Sequence, residues 1–430
     1  MLGWQILKEG EYTIDLPVVS KEEEELVLGV QERFVETTRS KTVKTREDSI
    51  AFIAELMLMV AKEKRIYIES EQKAYLTKIA QMHIYGFAFI DELLENNEVE
   101  EISIIGPEKP AYIYLRKQGW KKVNAQFDSE KAIADCINKM ARELGRHITM
   151  QNPRLDGMLP DGSRLHGSLP PLSKGEITIR RFRDRPFSPK ELVESATTDL
   201  ETVVLLSFLM HSDSSLIIAG NTASGKTTTV NALFSFVPKD ERIILTEETP
   251  EINIPHEHQL RLVANREMGI TLSDLVYDSL RMRPDRMVVG EVRNRQEAEA
   301  LFDVLLAGQA RGSYGTMHAQ SSNEAVARLR SFGVNEQDVR SVDAIVVQRR
   351  MLAYDRNARK NKEIRKIVEI SDLKGMDGSK SRLMANASEK LGMSKKEMQE
   401  EWKERTKIIR NADRNHKEFF VECQKKFYGL

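Results

Sequence analysis

The sequence predicts an α/β protein in which a larger C-terminal α/β domain follows a smaller α+β domain. Three observations carry this prediction. Beyond residue 190, strand-like and helix-like segments alternate, as in a parallel sheet covered by helices. Between residues 86 and 182, short apolar runs alternate with Gly, Pro and Asn turn signals. A chain of 430 residues is long enough for two or three domains, each with its own core.

Composition and charge indicate an ordinary globular protein. Hydrophobic residues make up 40% of the chain, charged residues make up 30%, and the formal net charge is −1. This balance gives no overall field that would draw the protein to nucleic acid or to a membrane surface. The two cysteines, Cys136 and Cys423, form no CxxC pair, which favours a reducing compartment and no structural metal.

No segment has the pattern of a membrane span or of a secretory signal. The longest apolar stretch, 54–61, contains Glu55 and is far shorter than the ~20 residues of a spanning helix. The first 15 residues carry acidic side chains where a signal would need an apolar core. We therefore expect a cytoplasmic protein.

The N-terminal part divides into two predicted segments. Residues 1–85 are highly charged with helical spacing of their apolar residues, which predicts a helical lead. Residues 86–182 form the predicted α+β domain, and within it 129–144 has the spacing of an amphipathic helix. The apolar face of that helix consists of Ile133, Cys136, Ile137 and Met140.

The C-terminal part begins after a predicted linker at 183–190, which reads RDRPFSPK. The α/β core is predicted over 191–370, and a helical, surface-exposed extension over 371–430. A helix is expected around LLSFLM at 205–210. The predicted strands of the core are 215–220, 242–248, 287–291, 343–351 and 364–370.

A phosphate-binding motif links the first core strand to a helix. Residues 220–227 read GNTASGKT, an unbroken G-x-x-x-x-G-K-T between an apolar strand and a helical segment, which is the context that the motif requires. Glycines allow the backbone amides to wrap a phosphate, and the helix N-terminus adds partial positive charge. Lys226 is expected to reach the β- and γ-phosphates, and Thr227 to bind Mg²⁺. The predicted nucleotide-binding residues are Gly220, Asn221, Thr222, Ala223, Ser224, Gly225, Lys226, Thr227 and Thr228.

Two acidic sites follow this motif along the chain. Glu247 and Glu248 end the second core strand, and Glu291 ends the strand MVVGE. Because the carboxyl ends of parallel strands meet at one edge of a sheet, we expect these carboxylates to face the nucleotide. Glu247 and Glu248 are also compatible with a surface role, whereas a charge beside an apolar strand is costly without a partner, which favours a role for Glu291.

Several of these segments together resemble the secretion traffic ATPases, the motors of type II and type IV secretion, type IV pili and archaeal flagella. The resemblance rests on the phosphate-binding motif and on ETPEI (248–252), LRMRPDRMVVGEVRNRQEAEAL (280–301) and GTMHAQSS (315–322). It extends to LDGMLPDGSRLHGSLPPL (155–172) and ITIRRF (177–182), and covers about Gly86 to Ile370. The C-terminal sequence looks most like that of archaeal members.

The resemblance implies a RecA-like P-loop core and a set of roles. Glu291 then holds Mg²⁺ or its water shell, and Glu247 is the candidate catalytic base in the acidic box of the family. Glu248 stands where aspartate is more usual. His318 matches the histidine box and is expected to contact or sense the γ-phosphate, although a histidine that only satisfies the fold stays an alternative.

Three arginines of the predicted α+β domain resemble those that family members extend toward the nucleotide. They are Arg164, in PDGSR, and Arg180 and Arg181, in TIRRF. A planar, permanently charged guanidinium stabilises the transition state of phosphoryl transfer. The alternative is that they form surface ion pairs with nearby acidic residues. The same pattern implies a homo-hexameric ring in which one subunit completes the site of its neighbour.

These features predict a cytoplasmic ring ATPase, peripheral at the inner face of the cell membrane. It would hydrolyse ATP with Mg²⁺ and move its domains to assemble a pilus-like filament or to secrete protein through a polytopic membrane platform protein. No specific nucleic acid is expected. Two alternatives remain: a P-loop motor that translocates DNA, and a nucleotide-dependent scaffold that does not hydrolyse. The extension at 371–430 either packs on the core or docks on the membrane partner.

Overall fold

The computed structural model describes residues 3–15, 19–38, 46–116, 118–182, 185–265, 268–308, 310–356, 359–373 and 380–430. The chain divides into two compact units, which meet in sequence between Phe182 and Arg183. The N-terminal unit therefore contains both the predicted helical lead and the predicted α+β domain. Residues 183 and 184 of the predicted linker lie outside the described residues.

The N-terminal unit is built on an antiparallel sheet. Its seven strands among the described residues have the order β1-β4-β3-β2-β7-β6-β5. Alternating side chains of this sheet pack against an amphipathic helix, α5 (Glu130–Glu143), whose buried face includes Ile133, Ile137 and Met140, as predicted. The strands are β1 (Trp4–Ile6), β2 (Val99–Ile104), β3 (Pro110–Leu115), β4 (Gly119–Phe127), β5 (Arg154–Met158), β6 (Arg164–Ser168) and β7 (Glu176–Arg180).

The helices of this unit form two groups. Helices α1 to α3 share their own apolar core, separate from the core under the sheet, as the charged, helically spaced sequence predicts. Strand β1 was not predicted, because three residues are too few to show a period. It pairs antiparallel with β4. The helices are α1 (Lys21–Thr38), α2 (Arg46–Glu63), α3 (Ser70–Tyr85), α4 (Ile90–Glu95) and α5 (Glu130–Glu143).

The C-terminal unit is built on a mostly parallel sheet. Within the described part of the chain its strand order is β10-β9-β11-β12-β8-β13-β14, and only the last pair, β13 with β14, is antiparallel. Strands β8, β9, β11 and β12 are buried over most of their length, as expected of parallel strands with helices on both faces of the sheet. The strands of this unit are β8 (Leu216–Gly220), β9 (Ile243–Glu247), β10 (Gln259–Val263), β11 (Arg286–Val292), β12 (Gly312–Met317), β13 (Ala344–Asp355) and β14 (Lys360–Asp372).

Helix α6 begins at Pro189, inside the segment predicted as a linker. The reason is a capping box in which Ser188 and Glu191 each bond the backbone N–H of the other, with proline at the first helical position. The helices of the unit are α6 (Pro189–Glu194), α7 (Leu200–His211), α8 (Lys226–Leu233), α9 (Leu272–Ser279), α10 (Arg295–Ala307), α11 (Ser322–Ser331), α12 (Glu336–Val339), α13 (Lys380–Leu391), α14 (Lys395–Asn411) and α15 (His416–Cys423). A π-helical turn at Gln424–Tyr428 follows.

The predicted C-terminal extension is helical, but the expectation that it is surface-exposed is wrong for one face. Ile409 and Phe419 are completely buried and belong to the same apolar cluster as Phe208 of α7. The amphipathic spacing of α14 is satisfied by the core of its own unit. This arrangement agrees with the packing alternative for 371–430.

Candidate nucleotide-binding and hydrolysis site

The phosphate-binding motif forms a loop between β8 and α8. Gly220 ends the strand, and Gly225, with a φ of +97°, is the N-cap of the helix. Since glycine has no side chain to cap the helix, the first amides of α8 face the loop instead. Ala223 also has a positive φ, of 58°. This geometry is a cradle of backbone donors at a helix N-terminus, which fits a phosphate group.

Gly220 is required because the loop runs against β13. A Cβ added there would lie 2.2 Å from the Gln348 carbonyl oxygen and 2.4 Å from the Ser224 hydroxyl. Either distance is far inside van der Waals contact. The sequence motif asks for glycine at this position, and the structure gives the steric reason.

Lys226 and Thr227 direct their polar ends to one region beside the loop. The Lys226 ammonium donates to the Gly220 carbonyl at 3.2 Å, and its Nζ lies 3.5 Å from His318 Nδ1. The Thr227 hydroxyl donates to Glu251 Oε2 at 3.2 Å. An ammonium, a hydroxyl and a carboxylate therefore adjoin the amide cradle, a set that fits a magnesium–triphosphate group.

Glu291 meets His318 beside the same loop. The pairing of β11 with β12 is irregular between Val289 and Val292, and Glu291 lies in this irregular segment. Its Oε1 lies 2.7 Å from His318 Nε2, and its Oε2 accepts from the guanidinium of Arg293 at 2.5 and 2.9 Å. The carboxylate predicted to hold Mg²⁺ is thus close to the histidine predicted to sense phosphate.

Gly290, which precedes Glu291, also has a steric role. A Cβ at Gly290 would lie 3.2 Å from Glu247 Cγ and from the Thr246 carbonyl oxygen. The Gly-Glu ending of this strand therefore lets β11 approach Glu247 of the adjacent β9.

His318 is held in its neutral form. Burial lowers its pKa below the usual value for histidine, and the nearby Lys226 ammonium adds to this effect, while Glu291 opposes it. A neutral imidazole offers one donor nitrogen and one acceptor nitrogen. His318 therefore can connect Lys226 on one side with Glu291 on the other.

Glu247 is engaged inside the fold. It is 2% exposed, its Oε1 accepts the backbone N–H groups of Glu251 (2.8 Å) and Ile252 (2.9 Å), and its Oε2 lies 3.1 Å from Arg261 Nε. Burial raises its pKa, and the two amide bonds and Arg261 oppose that shift. Oε1 thus shapes the turn after β9, while Oε2 faces Arg261 and accepts no hydrogen bond from the described residues.

Glu251 is a residue that the sequence interpretation missed. It lies in the turn that Glu247 organises, and its carboxylate reaches the hydroxyl of Thr227, the predicted magnesium ligand. The available signal was a second glutamate in ETPEI, four positions after Glu247. Arg293 was also missed; it pairs with both Glu248 and Glu291 and so joins the two acidic sites.

The strand order explains why these residues meet. Strands β8, β12, β11 and β9 are consecutive neighbours, so their carboxyl ends bring together the phosphate loop, His318, Glu291 and Glu247. In an open parallel sheet this edge is the expected ligand site. The assembled groups can bind a nucleoside triphosphate and hold a water molecule near it.

The sequence matches the Type II/IV secretion system protein family over residues 84–426, most of the chain. The chain belongs to this family. An uncharacterized protein of Methanocaldococcus jannaschii is 31% identical over 321 residues, which are 73% of this chain and 57% of that protein. The protein VirB11 of Agrobacterium fabrum is 29% identical over 55% of this chain and 77% of its own length. The ATPase DotB of Legionella pneumophila, a solved structure, is 15% identical over 72% of this chain and 94% of that chain, with a TM-score of 0.49.

Membership of the Type II/IV secretion system family agrees with the α/β fold predicted from the sequence.

The three arginines that the resemblance singled out lie in the N-terminal unit. Arg164 and Arg180 are cross-strand partners on β6 and β7. Arg181 donates to the Asn96 carbonyl at 2.7 Å and to Asn97 Oδ1 at 3.3 Å, so its guanidinium ties the turn after α4 to β7.

Two features are absent from the described residues of this family member. No described helix combines the length and the apolar character of a membrane span. The described part of the chain also contains no group of three or more His, Cys, Asp or Glu side chains placed to hold a metal ion. Magnesium in nucleotide sites commonly uses one or two protein ligands together with phosphate oxygens and water.

Proposed function

We propose that the chain is a motor ATPase that hydrolyses ATP with Mg²⁺ and drives assembly of a pilus-like filament or secretion of protein. One observation carries this proposal: Lys226, Thr227, Glu251, Glu291 and His318 lie together around the phosphate loop. Family membership supports the secretion role. The working form is proposed as a cytoplasmic homo-hexameric ring at the inner face of the cell membrane, acting on a polytopic membrane platform protein.

The residues divide the chemistry among them. The loop amides and Lys226 bind the phosphates, and Thr227 and Glu291 would hold Mg²⁺, which would neutralise phosphate charge when bound. Glu251 is the proposed base that orients the attacking water, in place of Glu247, because its carboxylate reaches the magnesium ligand. His318 connects the γ-phosphate side, at Lys226, to Glu291.

Arginines supplied from the N-terminal unit complete the proposed mechanism. Arg164 and Arg180 meet the transition-state charge when the domains close or when a neighbouring subunit presents them. Arg181, which resembles them in sequence, instead holds the turn after α4 through Asn96 and Asn97. Movement of the N-terminal domain against the ATPase core then becomes the mechanical output.

The test of the proposal is phosphate release from ATP in the presence of Mg²⁺. Lys226→Ala should reduce turnover about 100-fold or more, because a charge-assisted phosphate contact is lost. Glu291→Gln should still bind ATP but turn over slowly, since it keeps its shape and loses the anion. Lys403→Ala, an exposed lysine of α14, is the matched control and should hydrolyse normally. Normal turnover by Lys226→Ala would refute the site.

A DNA-translocating motor is the second candidate, and one feature favours it. Beyond Gln348, strands β13 and β14 continue past the end of β8 as a two-stranded ribbon, residues 349–355 paired with 360–366, with Tyr354 63% exposed. The basic residues of the sequence 349–366 are Arg349, Arg350, Arg356, Arg359, Lys360, Lys362, Arg365 and Lys366. Stimulation of ATP turnover by DNA, lost as salt is raised, would favour this function; no stimulation would leave the secretion motor.

A further inference from the structure

The phosphate loop is attached to β13 by more than the sheet ladder. In the parallel pairing of β8 with β13, Gly220 lies opposite Gln348. One step further, the Asn221 side chain continues this pairing: its Oδ1 accepts the Arg350 N–H at 2.8 Å, and its Nδ2 donates to the Arg350 carbonyl at 2.9 Å. The start of the loop is therefore fixed to the main chain of β13.

Gln348 reaches the other end of the loop. It is 2% exposed, and its Oε1 accepts the hydroxyl of Thr229, in the first turn of α8, at 2.6 Å. Its Nε2 lies 2.9 Å from the position that a Cβ on Gly225 would occupy. A buried amide is costly unless it is hydrogen-bonded, so this side chain is held in one place by Thr229.

These contacts surround the segment that would bind phosphate. The loop is held at Asn221 by the backbone of β13 and at Thr229 by the side chain of Gln348, while Gly225 packs directly on the same amide. Gly225 has a positive φ of 97° and is the N-cap of α8, so the Gln348 amide lies beside the residue at which the helix begins. A loop fixed before the nucleotide arrives loses less conformational entropy on binding.

We propose that Gln348 is a positioning residue that presets the phosphate loop for nucleotide. It acts through the Thr229 hydroxyl and through contact with Gly225, and it does not itself touch the reacting atoms. This inference rests on the proposed function, because it assigns the loop to nucleotide binding. The expected consequence is an effect on ATP affinity and KM that is much larger than the effect on kcat.

The experiment measures the affinity for a fluorescent ATP analogue, KM and kcat in the full-length chain. Gln348→Met keeps the volume but loses both polar ends, and it should weaken affinity and raise KM about tenfold while kcat stays within about twofold. Thr229→Val should behave in the same way, because it removes only the hydroxyl. Thr229→Ser, which keeps the hydroxyl, should restore the affinity of the unaltered chain.

The double variant tests whether the two side chains act through one hydrogen bond. Gln348→Met combined with Thr229→Val should cost about the same tenfold as either change alone. Independent effects that multiply to about 100-fold, or an unaltered KM in Gln348→Met, would overturn the proposal. If Gln348→Met does not fold, the comparison of Thr229→Val with Thr229→Ser decides alone.

A matched control separates positioning from general stability. Gln424 is equally buried, accepts the Lys239 N–H at 2.8 Å and donates to the Val237 carbonyl at 3.0 Å, but it lies in the C-terminal π-helical turn. Gln424→Met should lower the melting temperature and leave ATP affinity unchanged. A similar loss of affinity in this control would contradict the role of Gln348. Absence of turnover in the unaltered chain would contradict the proposed ATPase alone, because the affinity measurement needs no hydrolysis.

Discussion

At the scale of single residues, the turn after β9 separates two glutamates that have the same chemistry. Glu247 accepts two backbone amides and faces Arg261, whereas Glu251, four residues later, reaches the Thr227 hydroxyl. The Glu247 carboxylate stabilises the turn, and within this turn the Glu251 carboxylate lies beside Thr227. A catalytic base needs an oxygen that can reach water near the phosphates, and this requirement favours Glu251.

We expect Glu251→Gln to change turnover and Glu247→Gln to change stability. Glu251→Gln should fold normally, bind ATP and lose turnover by about 100-fold or more, because the base is removed. Glu247→Gln should lower the free energy of unfolding by about 1–3 kcal/mol, because an amide nitrogen would then face Arg261 in a buried site. Turnover and thermal unfolding of both variants provide the measurements. A stable, inactive Glu247→Gln beside an active Glu251→Gln would return the base role to Glu247.

At the scale of elements, helix α14 is attached to α7 through a buried arginine. Arg405 is completely buried, and its guanidinium lies 4.1 Å from the ring centroid of Phe208 and 4.6 Å from that of Phe427. It donates to the Ser207 carbonyl at 3.1 Å, to Glu401 at 2.7 Å and to His211 Nδ1 at 2.7 Å. A buried charge of this kind is tolerated because its donors are paired and its faces are stacked on aromatic rings.

His211 should make this attachment sensitive to acid. Burial lowers its pKa to about 3, with Arg405 and then Arg286 adding to the shift. Below pH 6.5 the unfolded chain binds a proton that the folded chain does not, so stability that is present above pH 6.5 is lost as the pH falls toward 3. From pH 7 to pH 5 the loss is about 2 kcal/mol, at about 1.4 kcal/mol per unit below 6.5.

The measurement is chemical unfolding at both pH values, in the unaltered chain and in His211→Asn. Asparagine offers an oxygen to Arg405 but does not titrate in this range. The variant should therefore lose about 2 kcal/mol less than the unaltered chain on acidification. Equal losses would assign the pH dependence to other groups, such as His256, whose pKa burial lowers to about 4.

At the scale of the whole molecule, the chain consists of two units with separate cores. The C-terminal unit supplies the phosphate loop and the acidic residues. The N-terminal unit carries Arg164 and Arg180 as cross-strand partners, while Arg181 is committed to bonds within its own unit. This difference predicts that the three arginines are not equivalent.

Arg164→Ala and Arg180→Ala should reduce kcat about 1000-fold, the scale of an arginine that meets the transition state, while ATP affinity is retained. Arg181→Ala should instead lower the melting temperature, because it leaves two acceptors near α4 without their donor.

Mixing Arg180→Ala subunits with Lys226→Ala subunits then tests whether the arginine acts across the subunit boundary of the proposed ring. If the arginine acts across the subunit boundary, some mixed sites contain both intact parts and turnover reappears. No recovery in assembled mixtures would mean that each subunit uses its own arginine or none.

The sequence by itself determined the location of the phosphate loop and five of the seven described strands of the C-terminal unit, but strands β10 and β12 were not predicted. These features depend on contiguous residues: the motif GNTASGKT, the apolar run before it and the glutamate at the end of MVVGE each carry their signal within a few positions. Because strand ends of a parallel sheet converge, the expectation that Glu291 lies near the loop also followed from sequence order. The expectation for His318 came from the resemblance to the secretion traffic ATPases.

Only the tertiary structure decided which side chains meet. Glu247 Oε1 accepts the N–H of Glu251 in the turn after β9, and no local pattern distinguishes the two carboxylates. Gln348 meets the loop from more than a hundred residues away through the pairing of β13 with β8. Strand β1 was too short to show a period. The apolar face of α14 is equally compatible, in sequence, with binding a partner protein, and only the structure shows that it packs against α7. Side-chain direction and partner choice depend on long-range packing, and a single sequence does not record such packing.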